Sequence, residues 1–377
     1  MDRFKKLLKE IDISVVVQQH SEDAFSQIRK EDYLMKSKKK TRFFRTPAAA
    51  VACICLLAIG SLSVYAALHH VWSRGMQGTL QATDEQQQDL AEKGIADVVG
   101  ESPDYKGLAV TDNGITVTPE TVIADENFVH LSFSVKGFEL YDAEEPSFED
   151  TLVSLKNGPD NALSMYASFY NGIVEGEDGE LVYEDGSPIE HRDDEYHSTI
   201  SHYADENGTL EYVITCRKKS GTDTLLGKTV QVDLKNMGTI SNAAHTNRTE
   251  GKWSFLITLP SASAATEKTI EKQVEDTVFK LETASISPIS IKLEFSIDGE
   301  IVSVDGENVF PLFYGVVLKD GTRLPYLWDG AASDYTDESH TSAYVLSSFT
   351  RVIDPDQVSA IILGLNPNYD MVEIPIK

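Results

Sequence analysis

The sequence predicts a mainly β protein. A single transmembrane helix leads into an extracellular region of two β-sandwich-like domains, and a short helical cytoplasmic segment precedes the helix. Three observations predict this. Residues 47–68, PAAAVACICLLAIGSLSVYAAL, contain no charged side chain. As a helix they extend roughly 33 Å at about 1.5 Å per residue, enough to cross a hydrocarbon core of about 30 Å. Charge divides at this stretch: 12 Lys and Arg stand against 7 Asp and Glu before it, and 21 against 53 after it. From about Leu108 onward, apolar residues recur at every second position, the period of half-buried strands.

The N-terminal segment, residues 1–46, carries a net charge of +5. Phe4, Leu7, Leu8 and Ile11 recur on one helical face among Lys5, Lys6 and Lys9. Ser21 is a good N-cap, with Glu22 and Asp23 in the first turn, where the helix dipole favours negative charge; Phe25 and Ile28 then share a face. Fewer than fifty residues bury too little apolar surface to fold alone. The faces of Phe4, Leu7, Leu8, Ile11, Phe25 and Ile28 are therefore candidate contacts, either with a protein partner or with anionic lipid. Lys36, Lys38, Lys39, Lys40, Arg42 and Arg45 follow with no anion among them. Cations remain on the cytoplasmic side, so they place the N-terminus inside and the chain after residue 68 outside.

Beyond the span, residues 83–94 read as a short helix. Thr83 and Gln86 have capping-box spacing, and Gly94 is placed to end it. Val129, Leu131, Phe133 and Val135 alternate with His130, Ser132, Ser134 and Lys136. Leu210, Tyr212, Ile214 and Cys216 do the same, as do Trp253, Phe255, Ile257 and Leu259, and Ile291, Leu293, Phe295 and Ile297. The first outer domain is expected over 69–220 and the second over 221–377, with 242–251 an alternative boundary. Leu131-Ser-Phe133-Ser-Val135-Lys-Gly137 is echoed by Leu293-Glu-Phe295-Ser-Ile297-Asp-Gly299, which raises an internal repeat. An acidic stretch over 175–207 reads as exposed turns.

The chemistry-bearing residues point away from catalysis. Cys53 and Cys55 lie in the apolar span, and Cys216 alone lies beyond it, so no disulfide framework supports the outer region. Cys216 falls on an inward strand face, where a thiol is inert core. His191, Asp193, Asp194, Glu195, His197 and His202 have the right chemistry for zinc or copper but match no metal signature, and read as a solvated loop. There is no G-x-S-x-G, no P-loop and no G-x-G-x-x-G. The expectation is no enzyme, no catalytic residue, no metal and no cofactor. An outer region of net charge −32 repels phosphates, which excludes direct nucleic-acid binding.

The order of a Lys-rich approach, one membrane helix and a strand pair with Asn113-Gly114-Ile115-Thr116-Val117 and Ala124-Asp125-Glu126-Asn127 resembles the DUF4179 family of single-pass proteins from Gram-positive bacteria. Gly251-Lys-Trp253-Ser-Phe255, the Ser287-Pro288 break and the Lys319-Asp-Gly321 turn resemble the DUF5643 type of β-domain. The resemblance implies an anti-sigma factor. Its cytoplasmic segment would hold an extracytoplasmic-function sigma factor, and its outer domains would sense a signal whose ligand the residues do not name. The zinc-type anti-sigma signature is missing, because His20 has no nearby cysteine. The competing expectation is a surface-displayed binding or adhesion module with no regulatory role.

Overall fold

The computed structural model describes residues 72–98, 108–141, 144–159, 161–176, 180–193, 197–219, 223–241, 244–301, 303–304, 307–365 and 370–376. The expected N-terminal contacts, from Phe4 to Ile28, the cations from Lys36 to Arg45 and the apolar span 47–68 lie outside these residues. Among the described residues, no helix is long and apolar enough to cross a membrane.

Among the described residues two short helices come first, α1 (Arg74–Thr79) and α2 (Asp84–Glu92). The capping box expected at α2 is present: Gln86 N–H donates to the Thr83 hydroxyl, and Thr83 N–H donates to the Gln86 side chain. Gly94 follows at φ +68°, a left-handed conformation that glycine adopts without strain.

Eleven strands then run in order through the first sandwich. They are β1 (Ala96–Val98), β2 (Val110–Asp112), β3 (Ile115–Ala124), β4 (Phe128–Lys136), β5 (Glu145–Leu155), β6 (Leu163–Phe169), β7 (Ile173–Glu175), β8 (Leu181–Tyr183), β9 (Leu210–Lys218), β10 (Thr229–Ser241) and β11 (Ala244–Thr258). One sheet has the order β1-β3-β4-β9-β6, with β2 also on β3; the facing sheet is β11-β10-β5, and β7-β8 is a separate hairpin. Inward residues of both sheets close one core, with Trp253 fully buried and its indole N–H donating to the Ile115 carbonyl at 3.1 Å. Phe148 packs against Phe169, Tyr212 and Trp253 with ring centroids 5.0–5.6 Å apart. Cys216 is inward and buried, as its alternation requires.

The second sandwich contains β12 (Thr266–Gln273), β13 (Phe279–Ile286), β14 (Ser290–Ile297), β15 (Ser303–Val304), β16 (Glu307–Asn308), β17 (Leu312–Leu318), β18 (Arg323–Pro325), β19 (Trp328–Tyr335), β20 (Ser342–Phe349), β21 (Val358–Leu365) and β22 (Asp370–Pro375). Its sheets are β12-β13-β14-β20-β19 and β18-β17-β21-β22, around a second core.

The boundary between the sandwiches differs from both expectations. β10 and β11 lie beyond residue 220, and β11 begins at Ala244, inside the alternative boundary. Yet Val230, Val232, Leu234, Trp253, Phe255, Ile257 and Leu259 all belong to the first core. The first sandwich therefore closes near residue 259. Turn-rich composition marked chain reversals inside one sandwich rather than a break between two.

The internal repeat extends to topology and register. Hairpin β3-β4 and hairpin β13-β14 occupy equivalent places in the two sheets, offset by 162 residues. Ala124 pairs with Val129, and Ile286 with Ile291. Each hairpin has a bulge five residues before its turn, at Glu120 and Glu282. Each bulged glutamate accepts a hydrogen bond from an equivalent serine across the ladder, Ser134 and Ser296. In both sandwiches the next partner of the hairpin (β9 or β20) is flanked by an edge strand (β6 or β19), while β5-β10-β11 corresponds to β17-β21-β22.

Candidate functional site: a strap clamped by two sandwiches

Residues 72–98 form a strap held against both sandwiches. Trp72, Met76, Leu80, Ala82, Leu90, Ile95 and Ala96 form a small core with Ile123 from the first sandwich and Ile289 and Val352 from the second. Gly75 and Gly78 let α1 lie close against the first sandwich. A Cβ on Gly75 would come within 2.9 Å of the Glu211 carboxylate, and one on Gly78 would enter the Tyr170 ring at 2.1 Å.

Polar contacts tie the strap to the first sandwich. Ser73 donates its hydroxyl to Ser132 at 2.8 Å, and Gly75 N–H donates to the Glu211 carboxylate at 2.5 Å. Burial pushes the Glu211 carboxyl up from its ordinary value, opposed by the Gly75 N–H, the Ser73 hydroxyl and Arg74. Arg74 donates through Nε to both carboxylate oxygens of Glu184 at 2.7 Å and reaches the carbonyls of His202 and Tyr203. Its guanidinium also lies over the Tyr170 ring, 4.9 Å from the centroid.

Gln81 carries the strap to the second sandwich. Its N–H donates to the Thr350 carbonyl and its own carbonyl accepts from Val352 N–H, both at 2.8 Å. Its side-chain amide turns the other way and donates to the Glu175 carbonyl of β7 at 3.0 Å. Gln86 adds a bond to the Val352 carbonyl. Arg351 and Glu175 face each other at 3.4 Å beside this bridge. An open cleft of about 680 Å³ lies here, with Arg74, Gln81, Tyr170, Glu175, Glu184 and Arg351 in its walls.

The hairpin turns meet beside the strap. Asp125 is buried; one carboxylate oxygen accepts from the N–H groups of Asn127 and Phe128 at 2.8 Å, closing its own turn. The other accepts from the Ser287 hydroxyl at 2.5 Å and from the Ser290 hydroxyl, in the equivalent turn of the second sandwich. Nearby, His130 on the outer face of β4 is completely buried, with Nδ1 3.1 Å from the Thr215 hydroxyl. Burial holds its pKa at about 4.

This arrangement holds chain segments together; it contains no activated nucleophile among the described residues. Burial pushes the Cys216 thiol up to about 12. His191 bonds the His197 carbonyl at 2.9 Å, and His202 stacks on Tyr183 at 4.1 Å. Of the expected metal candidates, Asp194 and Glu195 lie outside the described residues, within which no metal-binding group of three is found. Asp125 and Ser287 were visible in the sequence only as turn residues. Their pairing across 162 positions carries no local signal, apart from the repeat itself.

The strap and first hairpin are also where the chain matches a known family. Residues 38–137 match the family described as a domain of unknown function, DUF4179. The DUF4179 match begins in the basic approach, crosses the apolar span and strap, and ends at Gly137, just past β4. It supports the resemblance carried by the first hairpin. No curated protein matches the chain. Among solved structures, the chain is similar to a conserved domain protein from Bacillus anthracis, at 12% identity and a TM-score of 0.40, over 68% of this chain and 74% of that one.

Proposed function

We propose that this chain is a single-pass membrane regulator, an anti-sigma factor. Residues 1–46 hold an extracytoplasmic-function sigma factor in the cytoplasm, residues 47–68 cross the membrane, and the two sandwiches sense a signal outside. The second sandwich is then the DUF5643-type domain; it holds the Ser287-Pro288 break and the Lys319-Asp-Gly321 turn, whereas the Gly251–Phe255 motif lies in β11 of the first sandwich. One observation carries the reading: the first described residues after the apolar span are bonded to both sandwiches through Gln81, Gln86 and Arg74. A change in the contact between the sandwiches would therefore be felt directly at the end of the membrane helix. A display module with an inert anchor has no need of such a strap. The contacts are structural, and regulation rather than catalysis is the role they fit.

The test is co-purification of the full-length chain with the extracytoplasmic-function sigma factors of its own cell. The wild type retains the partner, and the Phe4→Ala/Leu8→Ala double variant releases it while inserting in the membrane as before. Equal behaviour of the two chains with no sigma factor bound removes the anti-sigma reading and leaves the lipid-surface or display alternatives.

A further inference from the structure

Sheet edges present unpaired backbone groups, and proteins guard them with charges, proline, bulges or very short strands. The edges of the four sandwich sheets follow this rule almost throughout. β1 and β2 are three residues long, and each carries an aspartate. β5 has Pro146, Glu149 and Asp150; β11 has Arg248, Glu250 and Lys252. β12 carries four charges and a bulge, β19 two aspartates and a bulge. β18 and β22 each contain a proline and a charge. β6 is the exception among the described edges. Its seven residues, LSMYASF, contain no charge and no proline, and they pair with β9 in unbroken register from Leu163–Lys218 to Phe169–Tyr212.

We propose that the open edge of β6 is a self-association site, at which a second copy of this chain adds its own β6 in antiparallel register. The occupant is indicated by the strand's own symmetry. An antiparallel pair centred on Tyr166 sets Tyr166 opposite its counterpart, Met165 opposite Ala167, Ser164 opposite Ser168 and Leu163 opposite Phe169. Every pair is like with like, so the strand is complementary to itself, as an isologous two-fold contact requires. Met165 shares the inward face with Leu163, Ala167 and Phe169 but remains 36% exposed, because among the described residues no strand pairs with β6 beyond β9. A second β6 would cover it. The neutrality of the strand matters in a region of net charge −32, where a charged edge would repel its copy. The association joins the two larger sheets of the first sandwiches into one continuous sheet.

The test uses full-length chain in detergent, with Cys53→Ser and Cys55→Ser removing the thiols of the apolar span and the buried Cys216 retained. Residues directly opposite in an antiparallel pair lie about 4.5–5.5 Å apart at Cα, within disulfide range. Tyr166→Cys should therefore cross-link to a dimer under mild oxidation. Ser164→Cys alone should not, since its own copy lies about 13 Å away along the strand, but mixed with Ser168→Cys chain it should give the heterodimer. Tyr166→Lys, at a 68% exposed position, should make the chain monomeric by light scattering without changing its circular dichroism. Mixing it with Tyr166→Glu chain should restore the dimer. A monomeric wild type, equal cross-linking at all three positions, or cross-linking of Tyr166→Cys only to a different protein would each overturn the proposal.

Discussion

β4 and β14 are the same strand written twice, and they have different environments. Both place Leu, Phe and an aliphatic residue inward, at Leu131, Phe133 and Val135 and at Leu293, Phe295 and Ile297, and all six are buried. Their outward residues differ in fate. His130, Ser132 and Ser134 are buried beneath the strap and the interdomain contact. The equivalent Lys292, Glu294 and Ser296 remain half-buried, with Lys292 and Glu294 paired at 2.5 Å. The difference shows how a duplicated sandwich acquires a task. One copy keeps a solvated charge ladder on its outer face, while the other keeps that face small and polar so that a separate segment can seat on it through hydrogen bonds.

The comparison is broken most severely at the turns. Asp125→Ala removes the acceptor for two buried N–H groups and two buried hydroxyls, and should lower stability by about 3 kcal/mol in urea titration, against about 1 kcal/mol for Ser287→Ala. If the two variants cost the same, Asp125 does not organise the contact. Overfilling the seat comes next. Gly78→Val drives a side chain into the Tyr170 ring and should cost about 2 kcal/mol, with faster amide exchange confined to residues 72–98.

Acidification separates His130 from its counterpart Lys292. The folded His130 has a pKa of about 4, below the ordinary value of 6.5, so the unfolded chain takes up the proton first. Stability conferred by the neutral ring is complete above pH 6.5 and is lost as pH falls towards 4, by about 2 kcal/mol at pH 5. The raised Glu211 opposes this, since its protonation in the fold returns part of the loss. His130→Gln should flatten the decline in calorimetry between pH 7 and 5, whereas Lys292→Gln should leave it unchanged. The smallest expected effect is Gln81→Ala, about 1 kcal/mol. It removes the arm to Glu175 but leaves the backbone bonds to Thr350 and Val352, so hydrogen exchange should quicken beside β7 more than beside β20.

Much of the fold was legible because side-chain alternation is a local property. The strands around Val129, Leu210, Trp253 and Ile291, the inward Cys216 and the capping box of α2 all follow from residue types a few positions apart. The resemblance between the two LxFS strands was legible too, and it extends to the bulged glutamates. The domain boundary was misplaced because a turn inside a sandwich and a linker between sandwiches have the same composition; only the inward partners of Val232 and Trp253 distinguish them. The strap was legible as a helix but not as a site. Nothing local in Gly75, Gly78 or Gln81 names Glu211, Tyr170 or Thr350 as their partners.

By itself, then, the sequence determined the strand class, the inward face of each strand, the division of charge and the duplicated hairpin, since all of these are set by spacing and composition along the chain. Tertiary structure alone decided which of the two outer faces would be covered. His130 and Ser132 read as solvent-facing, like Lys292 and Glu294, until a segment some fifty residues earlier lies across them. Burial of that face depends on where a distant segment settles, and no periodicity encodes it.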